Sequence, residues 1–531
     1  MRIQKKTFLS LALALLSAVP GASRLSAAIV DKFEQAYGHD KYFEQALKGA
    51  VPVQVCPGGG YVSAGFSRPT DARTDSDVYV VRVGENGSAV WQRTIDVDHF
   101  SDDVGTSVRE LHHGSSGGFM VTGTTAPAIG SDRDVFLLKL DCDGSLAWVQ
   151  RLRTQSDLDG ASTDDVANDV IEADTGAFEP IGSPRQGDLI VAGSSRQLLV
   201  SKVFDTDAYL VRTDPQGNVI WSRTYSNWGG GSVDDHPIDQ EWFNAVSEAL
   251  PTSDQTVGDV LAAGAQADTG WKDGLAVRVD GTNGLMTLPL HTMASFNDPD
   301  AGPLPQERLT ELWAIRELRQ LPELLNIVVV GNIAEAGGTA EGYTAKTGPS
   351  LNLLLAERVI GDGFSGSGDE GFADVQEIFA PTSYASAGDL AVAGYATVSG
   401  NQDVAMLALS PGALTPVAGT GRLFGDHSGG EERGTALAQV QESGEFVRFP
   451  GFYVNGFTRS DPRLAGDPED MYLIKTNGSG HTNCSIVWTP SDFSDEHGFC
   501  ECGPQMQDPG TTNEAVSSSH EKPEWGGSIC Q

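Results

Sequence analysis

The chain has 531 residues, a formal net charge of −37, 39% hydrophobic residues and 63 glycines. The apolar fraction is sufficient to build a core, which excludes a chain that is disordered throughout. The negative charge argues against nucleic acid as a partner because phosphate would be repelled. We interpret the acidity first as a source of solubility, with divalent-cation binding or adaptation to a salty medium as alternatives.

The first 28 residues are typical of a secretory signal peptide. Three basic residues precede the apolar stretch from Phe8 to Val19, which is too short to span a bilayer. Ser26-Ala27-Ala28 is a small-residue cleavage site, so the mature chain is predicted to begin after Ala28. No later stretch approaches the roughly 20 apolar residues of a transmembrane helix. We therefore expect a secreted or cell-surface protein without membrane insertion.

One unit recurs along almost the whole chain and is clearest from Asp205 to Tyr225. Ala208 to Thr213 has the composition of a strand, and the Asp-Pro-Gln-Gly-Asn stretch that follows is a turn. Val219 to Tyr225 is a second strand, rich in β-branched and aromatic residues and carrying Trp221. The pattern predicts consecutive antiparallel strands of a small sheet.

An apolar strand that ends in glycine precedes each such hairpin, and these glycines recur every 58 to 71 residues. They are Gly65, Gly123, Gly193, Gly264, Gly331, Gly394 and Gly456. One more strand lies between each hairpin and the next glycine strand. Four strands per unit and seven units predict an all-β fold, a seven-bladed β-propeller of four-stranded antiparallel blades over residues 29–488. Tryptophans such as Trp221 are expected to pack between blades.

Some stretches depart from the repeat frame. Glu307 to Leu325 resembles an amphipathic helix, but its place in the repeat predicts a strand with an insertion. Ala50 to Val55 resembles a first strand of a unit. Phe33 to Tyr37 resembles a last strand and is predicted to join the last blade and close the ring. Ser485 to Trp488 also resembles that strand, so one of the two must be extra or lie at an edge.

Residues 489–531 carry no periodicity and are predicted to form an irregular tail. The chain has six cysteines, a number that fits an oxidising compartment: Cys56, Cys142, Cys484, Cys500, Cys502 and Cys530. Four of them follow residue 480 and predict a tail stapled by disulfides whose pairing the sequence leaves open. Structural disulfides are favoured over a metal site because a one-residue spacing is poor for zinc.

Alternating acidic residues resemble fragments of calcium loops, in which several carboxylates converge on one hard cation. The candidate calcium ligands are Asp141, Asp143, Asp205 and Asp207. None of these fragments carries a full ligand set, and a hairpin turn with a solvated acidic rim is the favoured explanation of each. Calcium is the candidate cofactor, and no cofactor is firmly predicted.

The pattern over residues 117–225 joins a strand ending in Ala-Gly to Asp-Ala-Tyr-Leu-Val-Arg, a Gly-Asn turn and Trp-x-x-Thr-Tyr. It resembles the bacterial secreted β-propeller repeat proteins of the SBBP type, and the resemblance extends more weakly over residues 33–488. It implies a propeller in an exported protein, with no shared catalytic motif. The repeat also looks a little like the tryptophan repeat of quinoprotein dehydrogenases, a class of propeller with eight blades, a calcium ion and a quinone.

The sequence contains no His-Glu-x-x-His motif, and His112-His113 is expected at a surface turn. Our leading hypothesis is a secreted, non-enzymatic binding or structural module whose partner is an extracellular protein or a glycan. One alternative is an enzyme with a site assembled from several blades, either a glycoside hydrolase or lyase or a quinoprotein. Channel carboxylates about 5–9 Å apart would favour that alternative. A calcium-stabilised adhesin is the other.

Overall fold

In a computed structural model the protein is all-β, and every regular element among the described residues is a strand. The predicted signal peptide lies outside these residues. No helix in the described part of the chain is long and apolar enough to cross a membrane. The structure describes residues 32–39, 42–70, 75–98, 101–113, 117–126, 133–153, 164–173, 187–198, 204–227, 240–249, 258–268, 271–286, 293–296, 308–320, 322–335, 338–361, 368–398, 400–425, 431–440, 451–459, 469–483, 485–487, 491–493, 499–502, 504–507, 512–516 and 525–528.

The strands are numbered in chain order. The first are β1 (Phe33–Gly38), β2 (Tyr42–Ala46), β3 (Val51–Pro52), β4 (Tyr61–Pro69), β5 (Asp77–Val83), β6 (Ala89–Ile95), β7 (Asp102–Glu110), β8 (Phe119–Ala126), β9 (Asp134–Leu140), β10 (Leu146–Arg153), β11 (Asp164–Glu172), β12 (Leu189–Leu198), β13 (Phe204–Thr213), β14 (Val219–Asn227), β15 (Gln240–Ala249), β16 (Asp259–Asp268), β17 (Trp271–Val279) and β18 (Met293–Phe296). They continue with β19 (Arg308–Glu317), β20 (Ile327–Glu335), β21 (Ala340–Thr347), β22 (Leu354–Gly361), β23 (Glu370–Glu377), β24 (Leu390–Val398), β25 (Asn401–Leu409), β26 (Arg422–Phe424), β27 (Glu432–Gln439), β28 (Phe452–Thr458), β29 (Asp470–Lys475), β30 (Ile486–Val487), β31 (Ser491–Phe493), β32 (Phe499–Cys502), β33 (Pro504–Gln507), β34 (Thr512–Val516) and β35 (Trp525–Ser528).

Antiparallel pairing groups these strands into units of four, which we number 1 to 7 in chain order. Unit 1 contains β2, β4, β5 and β6, with β3 added to β4. Units 2 to 6 take the following strands in fours, from β7–β10 to β23–β26, and unit 7 contains β27, β28, β29 and β1. In each unit, the strand named first in this order precedes the strand that carries the repeated glycine, as the repeat predicts. We call it the first strand of the unit.

The described strands form five sheets rather than seven separate ones. Units 3, 4 and 5 belong to one 15-stranded sheet because single parallel bridges join Thr206 to Gln240 and Lys272 to Leu309. No described sheet closes on itself. The prediction of seven independent four-stranded sheets is therefore corrected, although the strand order within each unit follows the repeat.

The stretches that depart from the repeat frame also pair with strands of the units. β1 pairs with β29 of the last unit, as predicted for Phe33 to Tyr37. β30 pairs with β26 of unit 6, which removes the conflict over the last strand of unit 7. β19 confirms the strand predicted in place of a helix. The first strand of unit 1 is β2, whereas the predicted Ala50 to Val55 contributes only the two-residue β3.

The sequence predicts that each repeated glycine ends its strand. This prediction is wrong, because each of these strands continues beyond its glycine. β8 continues three residues beyond Gly123, and its counterparts continue likewise. Opposite each glycine in units 2 to 7 the first strand carries a β-bulge. A Cβ on Gly264, for example, would overlap the carbonyl oxygen of Trp242, well inside the 3.0 Å that real Cβ atoms keep. Glycine is thus required by close approach of the bulged strand.

Neighbouring units pack through aromatic side chains placed on glycine turns. The Trp221 indole N–H donates to the Gly281 carbonyl at 3.1 Å, and the ring lies against Gly284, whose φ is +71°. Trp91 packs in the same way on Gly144 of unit 2 and donates to the Cys142 carbonyl at 3.1 Å. The repeated turn glycine therefore serves both the turn and the aromatic residue of the preceding unit, as the sequence predicts for packing between units.

Two further kinds of contact join units 1 and 2. A disulfide links Cys56 to Cys142. The Glu110 carboxylate accepts the backbone N–H groups of Val55 and Cys56 at 2.9 and 2.7 Å. In the same way, the Glu172 carboxylate of unit 3 accepts the backbone N–H groups of His112 and His113 at 2.7 and 3.0 Å. The His-His turn thus joins unit 2 to unit 3 through its backbone. Such carboxylates satisfy loop N–H groups across the boundary between two units.

Five short strands follow residue 488, where the sequence predicts an irregular tail. β31, β32, β33 and β34 pair antiparallel with the last strands of units 5, 4, 3 and 2, and β35 pairs with β1. The prediction is corrected for these stretches because each gains backbone hydrogen bonds from an outer edge, which no periodicity in the tail records. The predicted tail disulfides lie outside the described side chains.

Replacing Gly264 by alanine tests the role of the repeated glycine. We expect Gly264→Ala to lower the free energy of unfolding by about 2–3 kcal/mol, because the added methyl group must displace the Trp242 carbonyl. Chemical denaturation measures the change. Gly348→Ala is the control, since the nearest atom to its Cβ would be 4.0 Å away. Equal effects of the two substitutions would contradict the close-approach explanation.

Removal of residues 489–531 tests the tail pairing. Hydrogen exchange is expected to accelerate in β10, β14, β18 and β22, since each loses a paired edge. β6 is an internal control because no described tail strand pairs with it. Unchanged hydrogen exchange in β10, β14, β18 and β22 would show that the tail does not pair with these strands in solution.

Candidate functional site

The β-bulges of the first strands in units 2 to 7 each place one extra residue toward a cavity of about 270 Å³. These residues are Thr106, Asn168, Asn244, Trp313, Ala373 and Thr435. Unit 1 contributes Leu47 and Lys48, which follow β2. We call this space the shared cavity because all the units, 1 to 7, contribute to its described lining. A bulge re-aims a side chain in this manner, which explains the convergence.

The wall formed by units 5 to 7 is aromatic. Trp313 donates its indole N–H to Asn332 Oδ1 at 3.3 Å. Arg433 lies over the ring of Tyr395, with 4.5 Å between the guanidinium carbon and the ring centroid, and it also donates to Gln402 Oε1 at 2.7 Å. Phe372 and Phe457 complete this part of the lining. The wall thus offers flat apolar surfaces beside hydrogen-bonding groups.

Another part of the lining is built from polar bulge residues that also join units. Asn168 Nδ2 donates to the Phe243 carbonyl at 2.8 Å, and Asn244 Nδ2 donates to the Leu312 carbonyl at 2.9 Å. Thr435 donates to the Leu47 carbonyl at 2.8 Å. These bonds fix the amide groups, whose nitrogen atoms are engaged by the protein. The amide oxygens are then left as acceptors.

Charged side chains lie beneath the shared cavity, around a smaller space of about 20 Å³. Lys48 Nζ donates to the Trp313 carbonyl oxygen. Arg109 pairs with Asp169 at 3.1 Å. Asp374 accepts the Leu437 N–H at 2.9 Å, and Arg316 donates to the Val375 carbonyl at 3.2 Å. These five charged groups come from units 1, 2, 3, 5 and 6.

Lys48 is the member of this layer that also lines the shared cavity. Burial lowers its pKa to about 8, an effect opposed by Asp169 and Asp374 and reinforced by Arg109 and Arg316. The amine is therefore still largely protonated at neutral pH and becomes neutral in mildly alkaline solution.

The predicted calcium ligands lie in two different units. Asp141 and Asp143 occupy the turn between β9 and β10, where the exposed Asp143 accepts the Ser145 hydroxyl at 2.6 Å and the pKa of its carboxyl is lowered chiefly by this bond. Asp205 and Asp207 lie on β13, and Asp207 is buried. The assignment of calcium to these four residues stays a prediction.

Another group of carboxylates lies at the boundary between units 1 and 2. Asp77, Asp96 and Asp103 each offer an oxygen atom, and these atoms all lie within 4.8 Å of one another. Asp103 accepts the Ser101 hydroxyl at 2.8 Å and the Val97 N–H at 2.6 Å. Burial raises the pKa of Asp103 to about 6, hydrogen bonds oppose the rise, and the negative charge of Asp96 adds to it. Protonation of Asp103 relieves the repulsion in this group.

Sequence reasoning missed the residues of the shared cavity. In most units the bulge residue comes three positions after a buried acidic residue of the first strand, as Thr106 follows Asp103 and Asn168 follows Asp165. An alignment of the repeats at that acidic residue would have placed the cavity positions in one column. Lys48 gives no such signal because it lies beyond β2 rather than on it.

The comparisons with known proteins give distant similarities. No family model and no curated protein matches the chain. It is similar to a crystal structure of Sqt1 from Chaetomium thermophilum, at 14% identity and a TM-score of 0.40, covering 85% of this chain and 98% of that one. A quinohemoprotein alcohol dehydrogenase from Pseudomonas putida HK5 is similar at 10% identity and a TM-score of 0.40, covering 85% and 76%. Similarity at this level assigns no function.

The cluster of Asp77, Asp96 and Asp103 predicts that the stability difference between wild type and an Asp103 variant depends on pH. Because the folded-state pKa of Asp103 is raised, its contribution favours folding at low pH and is lost as pH rises from about 4 to about 6. Asp103→Asn cannot ionise, so its stability relative to wild type should rise over that interval by on the order of 3 kcal/mol. Denaturant unfolding across pH measures this. Asp102→Asn, at an exposed neighbour, controls for the loss of one charge. Parallel wild-type and Asp103→Asn curves would contradict the assignment.

Proposed function

We propose that the protein is an exported, non-enzymatic, seven-bladed β-propeller that binds a small polar ligand, such as a terminal sugar of a glycan, in the shared cavity. The single observation that carries this proposal is the convergence of all the units on the described lining of one cavity. Fixed polar groups and aromatic surfaces in a concave site are typical of small-ligand recognition.

The arrangement of the units supports a ring. Consecutive units contact one another in chain order, as β4 contacts β7 and β24 contacts β27. The first unit in turn contacts the last, since β2 lies against β28 and β29 and a parallel bridge joins Phe43 to Glu469. A seven-bladed propeller of the kind that the SBBP-type repeats imply accounts for these contacts, and it leaves a central space where the first strands meet.

The size and chemistry of the cavity favour a single sugar-sized group. A volume of about 270 Å³ lies just below the range of roughly 300–1,000 Å³ that is usual for drug-sized ligands. Trp313 offers an apolar face, and Asn168 and Asn244 offer fixed amide groups. Aromatic faces beside polar groups suit a ring that carries hydroxyls on its edge.

The lining also bears on the enzymatic alternative. The described lining of the shared cavity contains no carboxylate, whereas glycoside hydrolysis uses a pair of them. Asp169 and Asp374 lie in the layer beneath, where backbone N–H groups and Arg109 already occupy their oxygens. The binding role is therefore the better supported of the two.

Export is supported by the Cys56–Cys142 disulfide, which is consistent with an extracellular location. The predicted signal peptide points to the same compartment. Direct observation of cleavage after Ala28 in protein recovered from the medium would test this part of the proposal.

A binding screen tests the proposed site. Residues 29–531 would be titrated calorimetrically with neutral and acidic mono- and oligosaccharides. Trp313→Ala should abolish binding of any ligand found, because it removes an aromatic face of the cavity. Trp242→Ala is the matched control, since Trp242 is on β15 but not in the cavity lining. Binding that survives Trp313→Ala but not Trp242→Ala would place the ligand elsewhere.

A further inference from the structure

The charge of the shared cavity differs from that of the whole chain. The protein carries a net charge of −37, yet Lys48 and Arg433 are the only charged residues in the described lining of the cavity. Both are cations. A cavity with this lining attracts anions even though the rest of the molecule repels them.

The two cations are not equivalent. Arg433 is already paired, with 3.2 Å between its Nε and a carboxylate oxygen of Glu431, and it is stacked on Tyr395. Lys48 donates one hydrogen bond, to the Trp313 carbonyl, and has no other acceptor among the described residues. A protonated amine has three N–H groups, so two of them are available to a ligand.

The acidic side chains nearest to Lys48 do not supply those acceptors. Asp169 accepts the Ser107 hydroxyl at 2.7 Å, the Arg109 guanidinium at 3.1 Å and the Val246 N–H at 3.1 Å. Asp374 accepts the Val375 N–H at 2.8 Å and the Leu437 N–H at 2.9 Å. Both carboxylates are committed to the first strands around them, while Arg109 and Arg316 add positive charge to the same layer.

The neutral groups specify the remainder of the ligand. Asn168 and Asn244 use their amide nitrogens in bonds to the Phe243 and Leu312 carbonyls. Their oxygens therefore act as acceptors, which suit hydroxyl groups. Trp313 presents an aromatic ring that suits the apolar face of a ring-shaped ligand.

We propose that the ligand of the shared cavity is a carboxylated sugar, a uronic acid residue, whose carboxylate binds Lys48 Nζ and whose hydroxyls donate to Asn168 and Asn244. This inference rests on the proposed function of the cavity as a sugar-binding site. It adds the requirement that the ligand carry a negative charge, and it assigns recognition of that charge to Lys48.

The test compares D-glucuronate and D-galacturonate with D-glucose and D-galactose, by calorimetry on residues 29–531. Wild-type protein should bind the uronates about tenfold or more tightly than the matched neutral sugars. Lys48→Met keeps a side chain of similar length but removes the charge, so this variant should lose the preference. Lys48→Arg should retain most of it. Lys139→Met, a lysine of β9 outside the cavity lining, is the control.

A pH titration of wild-type protein gives the same information without a substitution. Uronate affinity should fall as pH rises through about 8, where Lys48 loses its proton, while any neutral-sugar affinity stays constant. Equal affinity for uronates and neutral sugars, unchanged by Lys48→Met or by pH, would overturn the charge requirement but leave the cavity as a sugar site. Absence of binding by every sugar in wild-type protein would overturn the proposed function itself.

Discussion

In units 2 to 7, the close approach between the repeated glycine and the bulged strand opposite it is the constraint on which the rest of the structure depends. At Gly123, Gly193 and Gly264, a Cβ would overlap a carbonyl oxygen of the first strand in the same unit. The contact lies at the bulge in units 2 to 7, and the bulge turns one residue of each of these first strands toward the shared cavity. A single backbone requirement, repeated along the chain, thus determines both the recurrent sequence signal and the composition of the candidate site.

The same repetition divides positions that preserve the fold from positions that are free to specialise. The glycine and the buried acidic residue of the first strand recur, whereas the bulge residues differ: Thr106, Asn168, Asn244, Trp313, Ala373 and Thr435. Unit 1 departs furthest, because Lys48 brings a cation to the cavity from the segment after β2. Variation at one position of a rigid repeat is how a symmetric scaffold acquires an asymmetric site.

Much of the fold could be predicted from sequence because the signals were local and repeated. The glycine strands, the Trp221 hairpin and the last-unit place of Phe33 to Tyr37 follow from patterns within a few residues. The tail strands could not be predicted, since their pairing depends on distant outer edges rather than on their own composition. The candidate site was missed because its residues are spread over all the units, with nothing in each one alone to mark it. The predicted calcium residues were chosen by local spacing, and local spacing does not reveal that Asp77, Asp96 and Asp103 lie together.

An experimental structure of residues 29–531 soaked with D-glucuronate tests the central claim most directly, namely that the bulged first strands build one ligand site. The account predicts sugar density in the shared cavity, with the carboxylate at Lys48 Nζ and the ring against Trp313. Density for the sugar in a groove between two units or at an outer edge, with the shared cavity holding only solvent, would contradict it.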